Sequence, residues 1–411
     1  MPRLLKICFG DIRRESRDLR ELSAAKEAGY EVVVLSFGGS DNGMVDSVLG
    51  FEVHGHAVSL GLPRIPQIPV LGRVLLFIFS SFRSALLRSS LVCAIIRARA
   101  ICSFQADVLS CHDLPILMIG YLSTFFVKRR VKPLLVYDAH EYEIGRNTER
   151  GKLKKYFVMH QERYLMRRCA FSIAVNDSIA DQMQRVHRLQ KRPVVVRSTP
   201  NNWEISEQVI ATRRNELGQL ANASSDAFFL MYHGAIVTNR GIDVLIKTVA
   251  QNPLLVGFIM GYALSEDDEK ELRRLSDELV VQERIIFLPS VPQTRIWEFV
   301  GAMDVGFVMI QNTCESYYLC LPNKFFECVQ SLTPILASNF PEMKSLIDNY
   351  GIGLTCTPKN ISAINACIEK MRTDKTFYAQ CKENLKQAKS DLCWENEKIK
   401  MIGAYTALQA K

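Results

Sequence analysis

The strongest constraint on this chain is an alternation. Short apolar runs of four to seven residues are separated by helical stretches along almost its whole length. The first series is Leu4 to Phe9, Glu31 to Phe37, Asp107 to Cys111, Leu134 to Ala139, Phe171 to Val175 and Pro193 to Arg197. The texture then changes at Ser198-Thr199-Pro200-Asn201-Asn202. A second series follows: Phe228 to Tyr232, Leu254 to Met260, Arg284 to Leu288, Asp304 to Ile310, Pro334 to Ala337 and Gly353 to Cys356. Strands spaced by crossover helices pair in parallel and carry helices on both faces. Two such series in 411 residues predict an α/β protein of two Rossmann-like domains, 1–200 and 201–391, facing across a cleft. Open sheets of this kind bind ligands beyond the carboxyl ends of their strands.

Composition narrows the class. Hydrophobic residues make up 48% and charged residues 23%, a globular balance. The net charge of +8 suits phosphates or an anionic surface, and no zinc-finger or RNP-type pattern points to nucleic acid. The 12 cysteines are scattered with no C-x-x-C pair, and Cys8, Cys102, Cys111 and Cys169 lie in or beside apolar runs. That usage predicts reduced thiols and a cytoplasmic setting. The first residues lack the apolar core and cleavage site of a signal peptide.

The segment from Val53 to Ala106 stands apart. It has no acidic residue and six arginines: Arg64, Arg73, Arg83, Arg88, Arg97 and Arg99. Its apolar runs, 74–79 and 91–96, are far short of the ~20 residues needed to span a bilayer. Two readings stand. One is a long helix packed on the sheet with arginines at its rim. The other is a monotopic face whose arginines meet lipid phosphates, making the protein peripheral on the inner face of a membrane.

Candidate chemistry collects where strands end. Gly10 closes the first run and allows close backbone approach or simply a tight turn, with Arg13 and Arg17 beyond it. His112 and Asp113 follow the third run, and Asp138, His140, Glu141 and Glu143 cluster at the end of the fourth. His140 is suited to sugar hydroxyls or proton transfer. His112 and His140 lack the paired spacing of metal ligands, so no metal is expected. Gly234 turns the chain into a helix start with Arg240 nearby, an arrangement that attracts phosphate. Lys324 and Glu327 share one helix face in Pro322-Asn323-Lys324-Phe325-Phe326-Glu327. That spacing fits either a surface ion pair or a cation for a diphosphate beside a carboxylate for a ribose.

Taken in order, several of these pieces resemble a family 4 glycosyltransferase of the GT-B fold. They are Tyr137-Asp138-Ala139-His140-Glu141, Glu162-Arg163, Val175-Asn176-Asp177-Ser178, Asn239-Arg240-Gly241-Ile242-Asp243 and Pro322 to Glu327. The resemblance implies transfer of a sugar, with retention and without a bound metal or other cofactor, from a nucleotide-sugar co-substrate. The acceptor would be a glycan or lipid-linked glycan of the cell envelope. Gly234 would approach the diphosphate, Arg240 and Lys324 would neutralise it, and Glu327 would hold the ribose. Ser290 and Val291 would lie beside the base, and His140 near the donor sugar. His140, Lys324 and Arg240 would thus carry catalysis, while Gly10, Arg13, His112, Asp138 and Glu141 would line the acceptor side or the cleft. The final segment, about 392–411 with Trp394 and Glu395, would cross back onto the first domain.

Two positions depart from the family pattern. Many members have a first glutamate where this chain has Leu319, with Glu315 off register, and a basic residue where it has Ala235. A sugar-nucleotide epimerase of the same architecture and a non-catalytic binding subunit are the alternative functions.

Overall fold

The computed structural model describes residues 1–10, 12, 16–37, 45–48, 50–56, 90–146, 151–237, 239–263 and 265–409. Of the acid-free segment, Arg64, Arg73, Arg83 and Arg88 lie outside the described residues, as does Arg13.

Eight strands form the first sheet: β1 Arg3–Phe9, β2 Glu31–Phe37, β3 Val45–Val48, β4 Phe51–His56, β5 Val108–His112, β6 Leu134–Ala139, β7 Phe171–Ala174 and β8 Val194–Val195. Their order is β3-β4-β2-β1-β5-β6-β7-β8. In the parallel core, Leu4 of β1 pairs with Val32 on one side and Val108 on the other. The second sheet holds β9 Phe228–His233, β10 Leu255–Gly261, β11 Ile285–Pro289, β12 Val305–Val308, β13 Ile335–Ser338 and β14 Gly353–Cys356. Its order is β11-β10-β9-β12-β13-β14, with every named pair parallel.

The expected runs are therefore strands, with one correction. The first sheet is mixed, because β3 and β4 add an antiparallel pair at its edge. Both strands are short and interrupted by polar residues, so neither reads as a buried run. β4 in turn pairs in parallel with β2.

Fully buried aliphatic and aromatic side chains fill both faces of each sheet. Leu5, Ile7, Leu109 and Tyr137 share one core in the first sheet. Met231, Phe258, Phe325 and Phe326 share one in the second, and Leu230, Tyr232, Leu245 and Ile259 pack its other face. Burying each such side chain stabilises the fold by about 1.5–3 kcal/mol.

The last helix, Trp394–Gln409, leaves the second sheet and packs against the first. Tyr405 is buried there, its hydroxyl donating to Glu21 and its carbonyl accepting from the Tyr30 hydroxyl at 3.0 Å. Lys398 pairs with Glu27 at 3.0 Å, beside the same helix. Among the described residues, no helix is long and apolar enough to cross a membrane.

Strand order changes direction between β9 and β12 in the second sheet, and between β1 and β5 in the first. Crevices open at such switch points, beyond the strands' carboxyl ends.

Candidate active site

A cavity of about 530 Å³ opens between the two sheets and meets the β9/β12 switch point at Gly234 and Ile310. That volume suits a small-molecule ligand. The second sheet supplies most of its wall, including Gly234, Arg240, Ser290, Val291, Lys324 and Glu327. Arg17, His140 and Glu141 close it from the first sheet.

Lys324 sits on a helix that the sequence starts sharply. Pro322 is extended (φ −77°, ψ 153°) and lacks an N–H, and the helix runs from Asn323 to Gln330 directly after it. Phe325 and Phe326 anchor that helix in the core. Its first two residues, Asn323 and Lys324, line the cavity, so its free amides open toward the same space.

The Lys324 side chain is buried, and its Nζ has no hydrogen-bond partner among the described residues. The nitrogen lies 3.5 Å from the centre of the Tyr232 ring. Burial first, and then the neighbouring Arg240 charge, holds the amine well below the usual lysine range, although Glu327 acts the other way. A buried amine without a partner is costly, so a bound anion at this point would repay the fold.

Two tight turns bring backbone to the same place. Gly234 has φ +116°, and a Cβ on it would stand 3.9 Å from Lys324 Nζ. Gly241 has φ +89° and begins the helix Ile242–Ala250, and a Cβ on it would come within 2.0 Å of the Met309 carbonyl oxygen. At Gly241 neither the angle nor the space admits a side chain; at Gly234 it is the angle that disfavours one. Replacing Gly241 by alanine is expected to destabilise the protein by about 2–4 kcal/mol. It should also displace Arg240, the preceding residue; the midpoint of urea unfolding measures the first effect.

Arg240 reaches the cavity with its guanidinium 5.9 Å from the Tyr317 ring centre. Glu327 accepts from His233 at 2.9 Å, and both are buried. The Cys320 thiol, also in the wall, is pushed up to about 12 by burial and is a neutral group there.

Behind His140 lies a buried charge cluster. Lys6, in the middle of β1, has its Nζ 3.0 Å from Asp18, 3.6 Å from Asp138 and in contact with Glu21. Arg17 bonds Asp138 at 2.9 Å and the Val196 carbonyl at 2.9 Å. His140 Nε2 lies 2.9 Å from Asp138 and 3.5 Å from Asp18. His112 Nδ1 meets Asp18 at 2.8 Å, and the two histidine rings stack with centres 3.7 Å apart. Burial opposes a charge on His140, but Asp138 outweighs it and takes its pKa up to about 9. Burial likewise opposes the Asp138 charge, and Arg17, His140 and Lys6 together more than offset it, so that carboxylate stays well below its usual range. Three carboxylates facing Lys6 and Arg17 leave one negative charge, which the His140 proton balances.

Asp18, His112 and His140 bring ligand atoms within 4.8 Å of one another, as do Asp18, Glu21 and Asp138. Lys6 and Arg17 already occupy these carboxylates, so a metal ion would compete with two resident cations. The histidine pairing is a product of strand register: His112 lies opposite Asp138, two residues before His140.

The cavity thus brings together His140, Glu141, Gly234, Arg240, Ser290, Val291, Lys324 and Glu327. Three residues expected on the acceptor side or in the cleft are not part of this cavity's wall. His112 and Asp138 are absent from the cavity wall and back His140 instead. Gly10 is also absent from the wall; its N–H donates to Phe37 and its carbonyl accepts from Ser36. It turns the chain at the end of β1, which is the turn reading of that glycine. Of the arginine-rich segment, the described helix Ser90–Ser103 follows the packing reading. Ala94, Ala98 and Ile101 are buried, and Arg97 lies 5.0 Å above the Phe9 ring.

The sequence reading assigns no role to Lys6, Tyr232 or His233. Each had a signal. Lys6 is the lone charge in an apolar run, and Tyr232 and His233 are the last two residues before a strand-end glycine.

Two family models match the chain. Residues 19–200 match the model described as Glycosyltransferase Family 4, and residues 214–388 match Glycosyl transferases group 1. Among solved structures, HepE of Anabaena in complex with UDP is similar at a TM-score of 0.71 and 15% identity, with 100% of each chain covered. Sucrose-phosphate synthase of Thermosynechococcus elongatus gives a TM-score of 0.70 at 16% identity, covering 99% of each chain. The UDP-forming α,α-trehalose-phosphate synthase of Burkholderia xenovorans, in complex with glucose-6-phosphate, gives 0.68 at 11%, covering 97% of this chain and 98% of that one. At these identities the likeness is one of fold. No curated protein sequence matches the chain.

Proposed function

Because the chain belongs to the family 4 glycosyltransferases and has the GT-B fold, we propose that it transfers a sugar from a nucleoside-diphosphate donor to a glycan or lipid-linked acceptor, with retention. The observation that carries the donor reading is the buried Lys324 amine, which opens on the cavity without a partner, beside Arg240. A diphosphate would supply that partner, and the Gly234 turn and the Asn323 helix start would add amide donors. HepE of Anabaena has been solved with UDP and with UDP-glucose, which supports a uridine nucleotide as the first probe.

In this reading Glu327, oriented by His233, accepts the ribose hydroxyls, and Ser290 and Val291 flank the base. The acceptor enters past Glu141 and Arg17. Its hydroxyl bonds to the anomeric carbon as the bond from that carbon to the phosphate oxygen breaks. The hydroxyl proton passes to the departing phosphate, whose charge Arg240 and Lys324 stabilise. No metal or side-chain base takes part. His140, protonated up to about pH 9, is a hydrogen-bond donor and a positive charge rather than a base.

Thermal unfolding with a panel of nucleoside diphosphates tests the donor assignment. The expected result is a concentration-dependent rise in Tm with at least one of them, because a ligand that binds only the folded state stabilises it. No rise with any member of the panel would remove the assignment. Assays of that donor with and without acceptor then separate transfer from epimerisation and from binding alone.

A further inference from the structure

The helix Lys152–Met166 breaks two local rules in one place. Helices of soluble proteins turn one apolar stripe inward and a polar face to water. This one has its inward stripe in Glu162, Leu165 and Met166, all buried. It carries a second stripe on the opposite face: Leu153, Tyr156, Phe157, His160 and Tyr164 follow the i, i+3, i+4, i+7, i+11 spacing. Leu153 is 70% exposed and Phe157 62%. The second breach is electrostatic. A helix N-terminus carries partial positive charge and favours acidic residues. Here the first turn has none, and holds Lys152, Lys154 and Lys155.

Neighbouring elements extend the pattern. At the helix end Arg163, Arg167 and Arg168 bond backbone carbonyls of Val186, Arg188 and Tyr164, partners that carry no net charge. The helix Asp113–Phe126 lies alongside, joined by a Tyr121–Tyr164 hydroxyl contact of 3.0 Å, and its last turn carries Phe125, itself 67% exposed. Lys128, Arg130 and Lys132 follow it, while Arg129 between them already pairs with Asp107 at 2.8 Å. Glu162, the helix's own acid, is turned inward to the Tyr137 hydroxyl at 2.8 Å.

We propose that this face, the outer stripe of the Lys152–Met166 helix with its flanking cations, docks on an anionic membrane surface. Both breaches are relieved there. Aromatic and aliphatic side chains enter the headgroup region, and the cations meet lipid phosphates. A second copy of the chain is the poorer occupant, because a two-fold contact would set the same cations against each other. The stripe is about 17 Å long and lies flat along the helix, as an interfacial helix does. The helix also packs against the turn Glu143–Gly145, which borders the cavity wall. Gly145, eight residues before Leu153, packs against Ser316 of the cavity wall, where a Cβ would come within 2.9 Å of the Ser316 nitrogen. The inference does not rest on the donor assignment, and it concerns a different part of the chain from the arginine-rich segment, most of which lies outside the described residues.

Flotation of the full chain with vesicles tests it. Wild type is expected to float with phosphatidylcholine vesicles containing phosphatidylglycerol, and to stay behind with phosphatidylcholine alone. The triple variant Lys152→Gln, Lys154→Gln, Lys155→Gln should lose about fivefold in partition per charge. The triple variant Leu153→Ser, Tyr156→Ser, Phe157→Ser should lose more than about tenfold. Both should keep their Tm, and the lysine variant should gain slightly, since it relieves the helix terminus. Equal recovery of wild type with both vesicle types would overturn the proposal, as would variants that float as well as wild type. Binding to an acidic protein without flotation would also overturn it. A variant that fails to float yet retains the nucleotide-induced rise in Tm separates this face from the donor site.

Discussion

Replacing Lys324 by methionine is expected to make the protein more stable and nearly inactive. The amine is buried, has no hydrogen-bond partner among the described residues and is held well below its usual pKa by burial and by Arg240. Folding therefore strips a proton or confines a charge, and both cost free energy. Methionine fills a similar volume without that cost, and a gain of about 1–3 kcal/mol is expected, visible as a higher Tm. The folded pKa lies below the unfolded one of about 10.4, so the penalty is fully present at lower pH and fades as pH rises toward that value. The catalytic effect runs the other way. Loss of one donor to a developing oxyanion lowers kcat by about 10²–10³-fold, and diphosphate affinity should fall with it. Lys324→Met with wild-type turnover, or with a lower Tm, would refute this account of the residue. Lys324→Arg should recover binding only in part, because the Tyr232 ring lies 3.5 Å from the amine and a bulkier guanidinium would have to shift it.

The second large effect belongs to His140. His140→Ala should lower kcat by about 10²–10³-fold while changing UDP affinity less than about threefold, since the cations at the diphosphate are on the other sheet. Its pH dependence is distinctive. Asp138 keeps the ring protonated to about 9, so kcat should be level through 6.5, the ordinary histidine value, and fall as pH rises past 9. Asp138→Asn should move that limb down toward the ordinary range. A wild-type limb near 6.5 would mean that the neutral ring is the working form. The same pair governs stability. His140 has a raised pKa, so its contribution is complete below 6.5 and is lost as pH climbs through about 9. Asp138 has a lowered pKa, so its contribution holds above 3.8 and is lost as pH falls further. The first sheet is therefore tied most firmly between those limits.

Much of this architecture was readable before the structure, and the reason is periodicity. β2, β6 and β14 begin and end where their apolar runs do. β8 is only two residues long, because just Val194 and Val195 pair with β7 although the apolar run continues. The β3/β4 hairpin was not readable, since short edge strands with polar residues leave no run. At the site, strand-end residues declared themselves: Gly234 and His140 stand where a parallel sheet offers its ligand face. The cluster behind His140 did not. Lys6, Glu21, His112 and Asp138 are remote in sequence, and only strand pairing and the packing of the Ser16–Glu27 helix bring them together. His112 and Asp138 consequently read as cleft residues when their contacts are internal. The unpartnered state of Lys324 was equally hidden, because residue spacing carries no information about which atoms a side chain fails to reach.

The chain passes between the two sheets twice, once near Pro200 and again near Trp394. The passages are laced together: the Trp394 N–H donates to the Pro200 carbonyl at 2.8 Å, and the Asn202 N–H to Glu395 at 3.0 Å. A lone covalent link would leave the halves free to swivel as well as bend. A doubled, cross-braced link resists torsion and favours a single rocking mode, so any opening or closing of the crevice should retrace one path.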